Sequence, residues 1–158
     1  MNPTRALPEG CAIRHAESAA DLHACWPAMQ ELRPHLASAQ EMAERVQRMR
    51  ADGYRLLAAW RGGEAIALAG YRMQENLIYG RFLYVDDLVT REGERGGQWG
   101  ARLLDETTRI AESAGCAKLV LDTGLVNALA QRFYFRQGLL TGAMRFSKVL
   151  GTREGAAR

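Results

Sequence analysis

The chain of 158 residues is 47% hydrophobic and 25% charged, which is the composition of one globular domain. Its net charge of +3 comes from scattered Lys and Arg rather than a basic stripe, which argues against a nucleic-acid partner. No apolar run approaches the roughly 20 residues that span a bilayer, so no membrane partner is expected. We predict a single domain over residues 1–158, with frayed tails at about 1–9 and 151–158.

The three cysteines, Cys11, Cys25 and Cys116, lack the spacing of a disulfide framework or a zinc site. Free thiols are typical of a reducing compartment, so we predict a cytoplasmic protein without a metal cofactor. The polar start, MNPTRALPEG, contains two prolines and lacks the pattern of a signal peptide.

The first third of the chain predicts a strand and two helices. Residues 11–16 favour a short strand. Ser18 then has capping-box spacing to Asp21 at the start of a helical segment, which Pro27 should kink or divide and Pro34 should end. A second pair, Ser38 and Glu41, begins a helix that the Asp52-Gly53 pair ends.

The middle of the chain predicts three strands. Residues 54–60 and 65–73 flank a Gly-Gly turn and indicate a hairpin. Residues 80–90 form a third strand that carries Asp86 and Asp87, and a polar, Gly-rich loop follows at 91–97.

The last third predicts a helix lying on a sheet, since the apolar residues of 98–114 share one face. Residues 118–123 read as a strand covered on both faces, 126–137 as a helix stopped by Gly138, and 144–150 as an alternating closing strand. The order β-α-α-β-β-β-α-β-α-β predicts a mixed α/β sheet with helices on both faces. A right-handed crossover from strand 80–90 to strand 118–123 should place a ligand at the N-terminus of its helix.

The loop before that helix has the features of an anion site. Residues 95–101 read Arg-Gly-Gly-Gln-Trp-Gly-Ala. First-turn amides have no partner inside the helix, glycines let the backbone approach an anion, and Arg95 adds a two-pronged donor. A diphosphate fits this pattern. The alternative is a tight turn without a ligand, since the loop matches neither G-x-G-x-x-G nor a Walker motif.

Four segments together resemble the GNAT superfamily of N-acetyltransferases: LYVDDLVT, ERGGQWGARLL, KLVLDT and NALAQRFYFRQGL. Arg95 and Gly100 match the ends of the family pattern Q/R-x-x-G-x-G/A, whereas Gln98 stands where the central glycine is expected. The family spacing N-x-x-A-x-x-x-Y-x-x-x-G is matched at Asn127, Ala130, Tyr134 and Gly138. The resemblance implies an α+β fold with a mostly antiparallel, twisted sheet of six to seven strands.

The resemblance also implies direct transfer of an acetyl group from acetyl-CoA, as co-substrate, to a primary amine of a small molecule or peptide. The implied cofactor contacts are Leu88, Val89, Thr90, Arg95, Gly96, Gly97, Gln98, Trp99, Gly100, Ala101, Asn127, Ala130 and Tyr134. Packing beneath the helix is favoured for the Trp99 side chain. The alternative function is a catalytically weak acyl-CoA-binding sensor or interaction domain on the same fold, because Gln98 departs from the pattern.

The chemistry of acyl transfer suggests further roles. A free amine with a pKa near 10.4 must lose a proton before it attacks, and Asp86 or Asp87 can accept it. As strand neighbours they should point to opposite faces, so only one should face the acceptor. Glu75, in the preceding turn, is a weaker candidate.

Tyr134 is expected to hydrogen-bond the departing thiolate. Arg33 and His35 lie in the bend that often walls the acceptor pocket in the family, and they are candidate acceptor contacts. The edge of the closing strand offers a place for a second copy of the chain, so a homodimer is a further hypothesis.

Overall fold

The computed structural model describes residues 6–151, in which five strands form one sheet in the order β1-β2-β3-β4-β5. The strands are β1 (Cys11–His15), β2 (Arg55–Arg61), β3 (Glu64–Asn76), β4 (Gly80–Thr90) and β5 (Lys118–Leu121). The helices are α1 (Ala19–Leu32), α2 (Ala39–Arg50), α3 (Trp99–Ser113) and α4 (Ala128–Arg136), and a 3₁₀ turn spans Glu92–Glu94.

The sheet is mixed and mostly antiparallel, as predicted. β1 to β4 pair antiparallel in chain order, and β5 pairs parallel with β4 after the crossover through α3. The predicted count of six to seven strands is wrong, because residues 144–150 form no strand in the structure. All of residues 141–150 are exposed, and strand geometry requires a neighbouring strand that this segment does not have within the described chain.

Helices cover both faces of the sheet, as predicted. α1 and α2 pack on one face, where Leu22, Met42 and Leu68 belong to one buried cluster. α3 packs on the other face, where Leu83, Trp99 and Leu103 belong to a second cluster. The sheet is therefore buried on both sides at its centre.

α1 begins with the predicted capping box: Ser18 Oγ accepts from the Asp21 amide, and the Asp21 side chain accepts from the Ser18 amide. Of the two outcomes predicted for Pro27, division into two pieces is wrong, since α1 is one helix with Pro27 inside it, and the kink stays a prediction. Cys25 and Met29, on either side of Pro27, are buried against the sheet, and this packing offsets the lost hydrogen bond. The helix ends before Pro34, as predicted.

Among residues 6–151, every helix is too short or too polar to span a bilayer. The frayed tails predicted at 1–9 and 151–158 lie largely outside the described residues.

Candidate active site

β4 and β5 separate part-way along their length. Their parallel pairing runs from Phe82 opposite Lys118 to Val85 opposite Leu121. β4 then continues to Thr90, whereas β5 ends, so the edge of Leu88–Thr90 that faces away from β3 has no strand partner among the described residues. We call the space between Leu88–Thr90 and the chain after Leu121 the β4–β5 cleft. The predicted cofactor contacts Leu88, Val89 and Thr90 lie along its β4 side.

A β-bulge interrupts β4 at the point of separation. The register with β3 pairs Tyr71 with Val85 and Gly70 with Asp87, which leaves Asp86 without a partner residue. The prediction that Asp86 and Asp87 point to opposite faces is wrong, because the extra residue resets the alternation. Both carboxylates lie on the face covered by α1 and α2.

The two carboxylates belong to one connected network. Asp87 accepts hydrogen bonds from Arg33 Nε at 2.9 Å and from the Tyr54 hydroxyl at 2.7 Å. Arg33 Nη2 also donates to the Asp86 carbonyl at 2.9 Å, and Arg72 pairs with the Asp86 carboxylate at 3.0 Å. Arg33, which caps the end of α1, thereby ties that helix directly to the bulge.

Burial in this network shifts the pKa values of Asp86 and Tyr54. Burial raises the pKa of Asp86 above its ordinary value, and the hydrogen bond from Arg72 only partly opposes it. Burial, followed by the charge of Asp87, raises the pKa of Tyr54 well above its usual range, so that hydroxyl remains a donor. A carboxyl with a raised pKa accepts a proton more readily than an ordinary one.

A cavity of about 280 Å³ opens beside this network, on the α1–α2 side of the sheet. Arg33, His35 and Asp87 line it, so the structure brings both predicted acceptor contacts and one predicted acid together. The remaining lining residues are mostly apolar: Met29, Leu36, Met42, Arg45, Val46, Met49 and Tyr54. Glu75 is placed differently from its prediction, since it is exposed on β3 opposite Arg81 and belongs to a separate depression with Met73.

The loop before α3 has a backbone shaped for an anion. Gly96 has a φ of 89°, and Gln98, the N-cap residue, has a φ of 60°. Gln98 is the one non-glycine residue with a positive φ among residues 6–151. This conformation explains why glycine is expected at its position. The backbone amides of Trp99, Gly100 and Ala101, in the first turn of α3, have no hydrogen-bond acceptor among residues 6–151.

The side chains of this loop divide into two groups. Arg95, Gly96, Gly97 and Gln98 are exposed, which leaves them open to a ligand. Trp99 is 2% exposed and packs in the core beneath α3, so its predicted contact with a cofactor is restricted to the backbone. Ala101 is buried as well.

α4 stands next to the start of α3. The Phe133 ring passes so close to Gly100 that a Cβ at that position would lie 3.2 Å from Phe133 Cζ. Tyr134 is half-buried, burial raises the pKa of its phenol, and its hydroxyl has no hydrogen-bond partner within residues 6–151. The anion loop and Tyr134 therefore lie on neighbouring elements, as the sequence predicts.

Asn127 has a structural role that was not predicted. It is the N-cap of α4 rather than a residue of its helical face, and its Oδ1 accepts from the Ala130 amide at 3.1 Å. Ala130 lies in the first turn, half-buried. The amide group of Asn127 retains its two N–H donors.

A sequence profile of the acetyltransferase (GNAT) family matches residues 19–139. The chain belongs to the GNAT acetyltransferase family. An aminoalkylphosphonate N-acetyltransferase from Salmonella typhimurium is 33% identical over 98 residues, which are 61% of this chain and 62% of the relative. The chain thus aligns with less than two thirds of that protein. An uncharacterized N-acetyltransferase of Bacillus subtilis is 32% identical over 113 residues, 69% of this chain and 77% of the relative.

The fold of this GNAT chain is also similar to that of a solved aminoglycoside N-acetyltransferase in complex with CoA. The TM-score is 0.72 at 18% identity, over 94% of this chain and 98% of the other, and at this identity the likeness concerns the fold.

Several residues of the GNAT site were missed by sequence reasoning. Tyr54 and Arg72 complete the network around the two aspartates, and the signal for Tyr54 is only that a buried tyrosine needs a hydrogen-bond partner. Tyr84, Asp122 and Arg145 form a third cluster where β4 and β5 separate: Tyr84 donates to Asp122, which pairs with Arg145 at 2.7 Å. Burial and that hydrogen bond raise the pKa of Tyr84 to about 12.

Proposed function

We propose that the chain is an N-acetyltransferase that moves an acetyl group from acetyl-CoA directly to a primary amine of a small molecule. The main support is the combination of three features: the unpaired β4 edge at the β4–β5 cleft, the open amides at the α3 N-terminus, and Tyr134 on α4, whose neighbour Phe133 contacts Gly100 of α3. A cofactor with an anionic end and an extended arm suits such a cleft.

The anionic end of the co-substrate fits the loop of residues 95–101. The amides of Trp99, Gly100 and Ala101 and the positive end of the α3 dipole favour a diphosphate. Arg95 is exposed beside them and adds a formal charge. The arm then pairs with the unpartnered edge of Leu88–Thr90 in the manner of an added strand.

The acceptor amine must become neutral before it attacks the thioester carbonyl. We assign proton acceptance to Asp86, directly or through water, because burial raises the pKa of this acid and it lies at the bulge. Arg33 and Tyr54 bind Asp87, and this pairing lets Asp87 hold the bulge and form one wall of the acceptor cavity. Tyr134 donates a hydrogen bond to the departing sulfur.

The acceptor cavity combines apolar walls with Arg33, His35 and Arg45. These walls suit a small amine that carries an anionic substituent, and the Salmonella relative is named for aminoalkylphosphonates. An acceptor panel should therefore begin with aminoalkylphosphonates and continue to amino sugars and peptide amines.

The test is the Tyr134→Phe variant, assayed by thiol release with the best acceptor of that panel. We expect kcat to fall by about tenfold or more while the Kd for CoA changes less than about twofold, because the hydroxyl serves the transition state. Tyr79→Phe is the control, since Tyr79 packs against Phe82 and Lys118 away from the cleft. An unchanged kcat removes Tyr134 from the mechanism.

The second candidate function is a catalytically weak acyl-CoA sensor, and the left-handed Gln98 is the observation that favours it. Tight CoA binding without thiol release across the whole acceptor panel would support the sensor over the enzyme.

A further inference from the structure

Two arginines line the acceptor cavity, and they differ in what their guanidinium groups bind. Arg33 donates from Nε to Asp87 and from Nη2 to the Asp86 carbonyl, each at 2.9 Å. The Asp87 carboxylate lines the same cavity and lies 2.8 Å from Arg33 Nη2, so it neutralises the charge of Arg33 within the cavity. Arg33 is therefore a fixed part of the wall, already engaged by acceptors of the protein itself.

Arg45 keeps donors available to a ligand. Its ion pair among residues 6–151 is with Glu41, one turn earlier on α2, where Nη2 lies 2.9 Å from Oε1. This pair engages one nitrogen of a guanidinium that has several further N–H groups. The other oxygen of Glu41 accepts from the Ala37 amide at 2.7 Å, and within the described chain the lining of the cavity does not include Glu41. The charge of Arg45 is thus presented to the cavity, while its counter-ion lies outside.

The rest of the lining suits a short aliphatic chain. Most of its apolar side chains are buried: Met29, Leu36, Met42 and Val46. Methionine side chains are flexible and fit alkyl groups of irregular shape. The volume of about 280 Å³ is at the lower limit of the roughly 300–1,000 Å³ that is usual for drug-sized ligands, so the cavity suits a small molecule.

We propose that Arg45, together with His35, binds the anionic group of a short aminoalkyl acceptor whose primary amine faces the bulge of β4. The inference rests on the proposed function, because it names the chemical class of the acceptor and the residue that selects it. Asp87 lies at the bulge and Arg45 on α2, so the two charges come from different walls of one cavity. A hydrogen bond between a guanidinium and an anion is stronger where apolar walls exclude water than on an open surface.

The first experiment compares aminoethylphosphonate with propylamine, a neutral primary amine of similar length, as acceptors for the full-length protein. We expect the wild type to have a kcat/KM at least about tenfold higher for aminoethylphosphonate, as a charge-assisted hydrogen bond supplies. Arg45→Gln should abolish most of this preference, mainly by raising the KM for aminoethylphosphonate. Taurine and β-alanine carry a sulfonate and a carboxylate on the same spacer, and the loss in Arg45→Gln should apply to each of them that is acetylated.

Arg48→Gln is the matched control, since it removes the same charge from an exposed position of α2 that lies outside the lining of the cavity. It should leave the preference unchanged. A wild type without the preference, or an Arg45→Gln protein that retains it, overturns the assignment. An equal loss for both acceptors in Arg45→Gln overturns it too, because a purely structural role of Arg45 would not distinguish them.

The second experiment measures binding of aminoethylphosphonate without turnover, by calorimetric titration in the presence of CoA. We expect equal Kd values for the wild type and Arg48→Gln and a Kd at least about tenfold higher for Arg45→Gln. Binding through Arg45 without any thiol release would support the anion site and refute acetyl transfer. Transfer to propylamine without binding of aminoethylphosphonate would support the transferase and refute the anion site, so the two failures are distinguishable.

Discussion

Gly70 determines how closely Tyr54 approaches Asp87. A Cβ at Gly70 would lie 2.6 Å from Tyr54 Cζ and 2.7 Å from Asp87 Oδ2, distances at which atoms must move. Both neighbours are buried, and their hydrogen bond is one anchor of the bulge. A glycine on β3 thereby permits the arrangement of acids on β4.

We predict that Gly70→Ala lowers the free energy of unfolding by about 1–3 kcal/mol, since an added methyl overpacks this site. Gly63→Ala is the control, because a Cβ added there would meet no atom within 4 Å and we expect a change within about 0.5 kcal/mol. Urea denaturation of both variants measures the difference. Equal effects would show that the contact at Gly70 relaxes without cost.

Gln98 carries backbone strain at the anion loop. An L-residue in the left-handed region costs roughly 1–2 kcal/mol, and glycine avoids that cost. We predict that Gln98→Gly raises the free energy of unfolding by about 1 kcal/mol, after allowance for the greater entropy of glycine in the unfolded chain.

The control for Gln98→Gly is Gln47→Gly, in the exposed face of α2, which should lower stability by about 1 kcal/mol because glycine weakens a helix interior. Thermal and urea denaturation should therefore move the two variants in opposite directions. A loss of stability in both would mean that Gln98 is held by contacts that outweigh its strain.

At the scale of single residues, the sequence shows which residues belong to the candidate site but does not predict their backbone conformation or the face on which they lie. Gln98 stands out as a departure from a pattern, but its left-handed φ becomes visible only in the structure. Asp86 and Asp87 are found from their position on a predicted strand, yet strict alternation assigns them to opposite faces. The bulge depends on pairing with Gly70 and Tyr71, which the local sequence of β4 does not encode.

At the scale of elements, the start of α3 carries the main prediction about the co-substrate. We expect Gly100→Glu to weaken CoA binding at least about tenfold, because a carboxylate beside the open amides repels a diphosphate. Gly100→Ala is the matched control, since both variants add a Cβ that meets Phe133 and only one adds charge. Calorimetric titration of CoA compares them, and equal affinities would move the diphosphate away from this loop.

Elements with their own strong periodicity are predicted well. β4 has the bounds 80–90 that its sequence predicts, and α3 lies within one residue of its prediction at each end. The extent of α1 is harder to predict from the sequence. The low helix propensity of Pro27 favours a break, whereas burial of Cys25 and Met29 favours one uninterrupted helix. Residues 144–150 show the reverse case: their alternation is that of a strand, but a strand forms only when a partner edge is available.

At the scale of the whole molecule, the two halves of the site are held by different means. Arg33 links the α1–α2 layer to the bulge by two hydrogen bonds, so the acceptor cavity is tied to the sheet. α4, in contrast, has no buried side chain, and its contact with the rest of the fold includes Phe133 against Gly100. Such long-range attachment cannot be read from sequence periodicity, which is why the location of Tyr134 was predicted only through the family spacing.

This difference predicts where ligand binding changes the stability of the fold. α4 should open locally at low cost in the free protein, because little apolar surface holds it. CoA seated between the α3 loop and Tyr134 adds contacts that exist only when α4 is docked. At a CoA concentration about 100 times the Kd, amide exchange in residues 128–136, followed by mass spectrometry, should slow by up to about 100-fold.

Residues 55–61 of the buried strand β2 serve as the internal control, and amide exchange there should change far less. Uniform slowing across the chain would mean that α4 opens only with the global fold, and no slowing in α4 would mean that the ligand does not reach it.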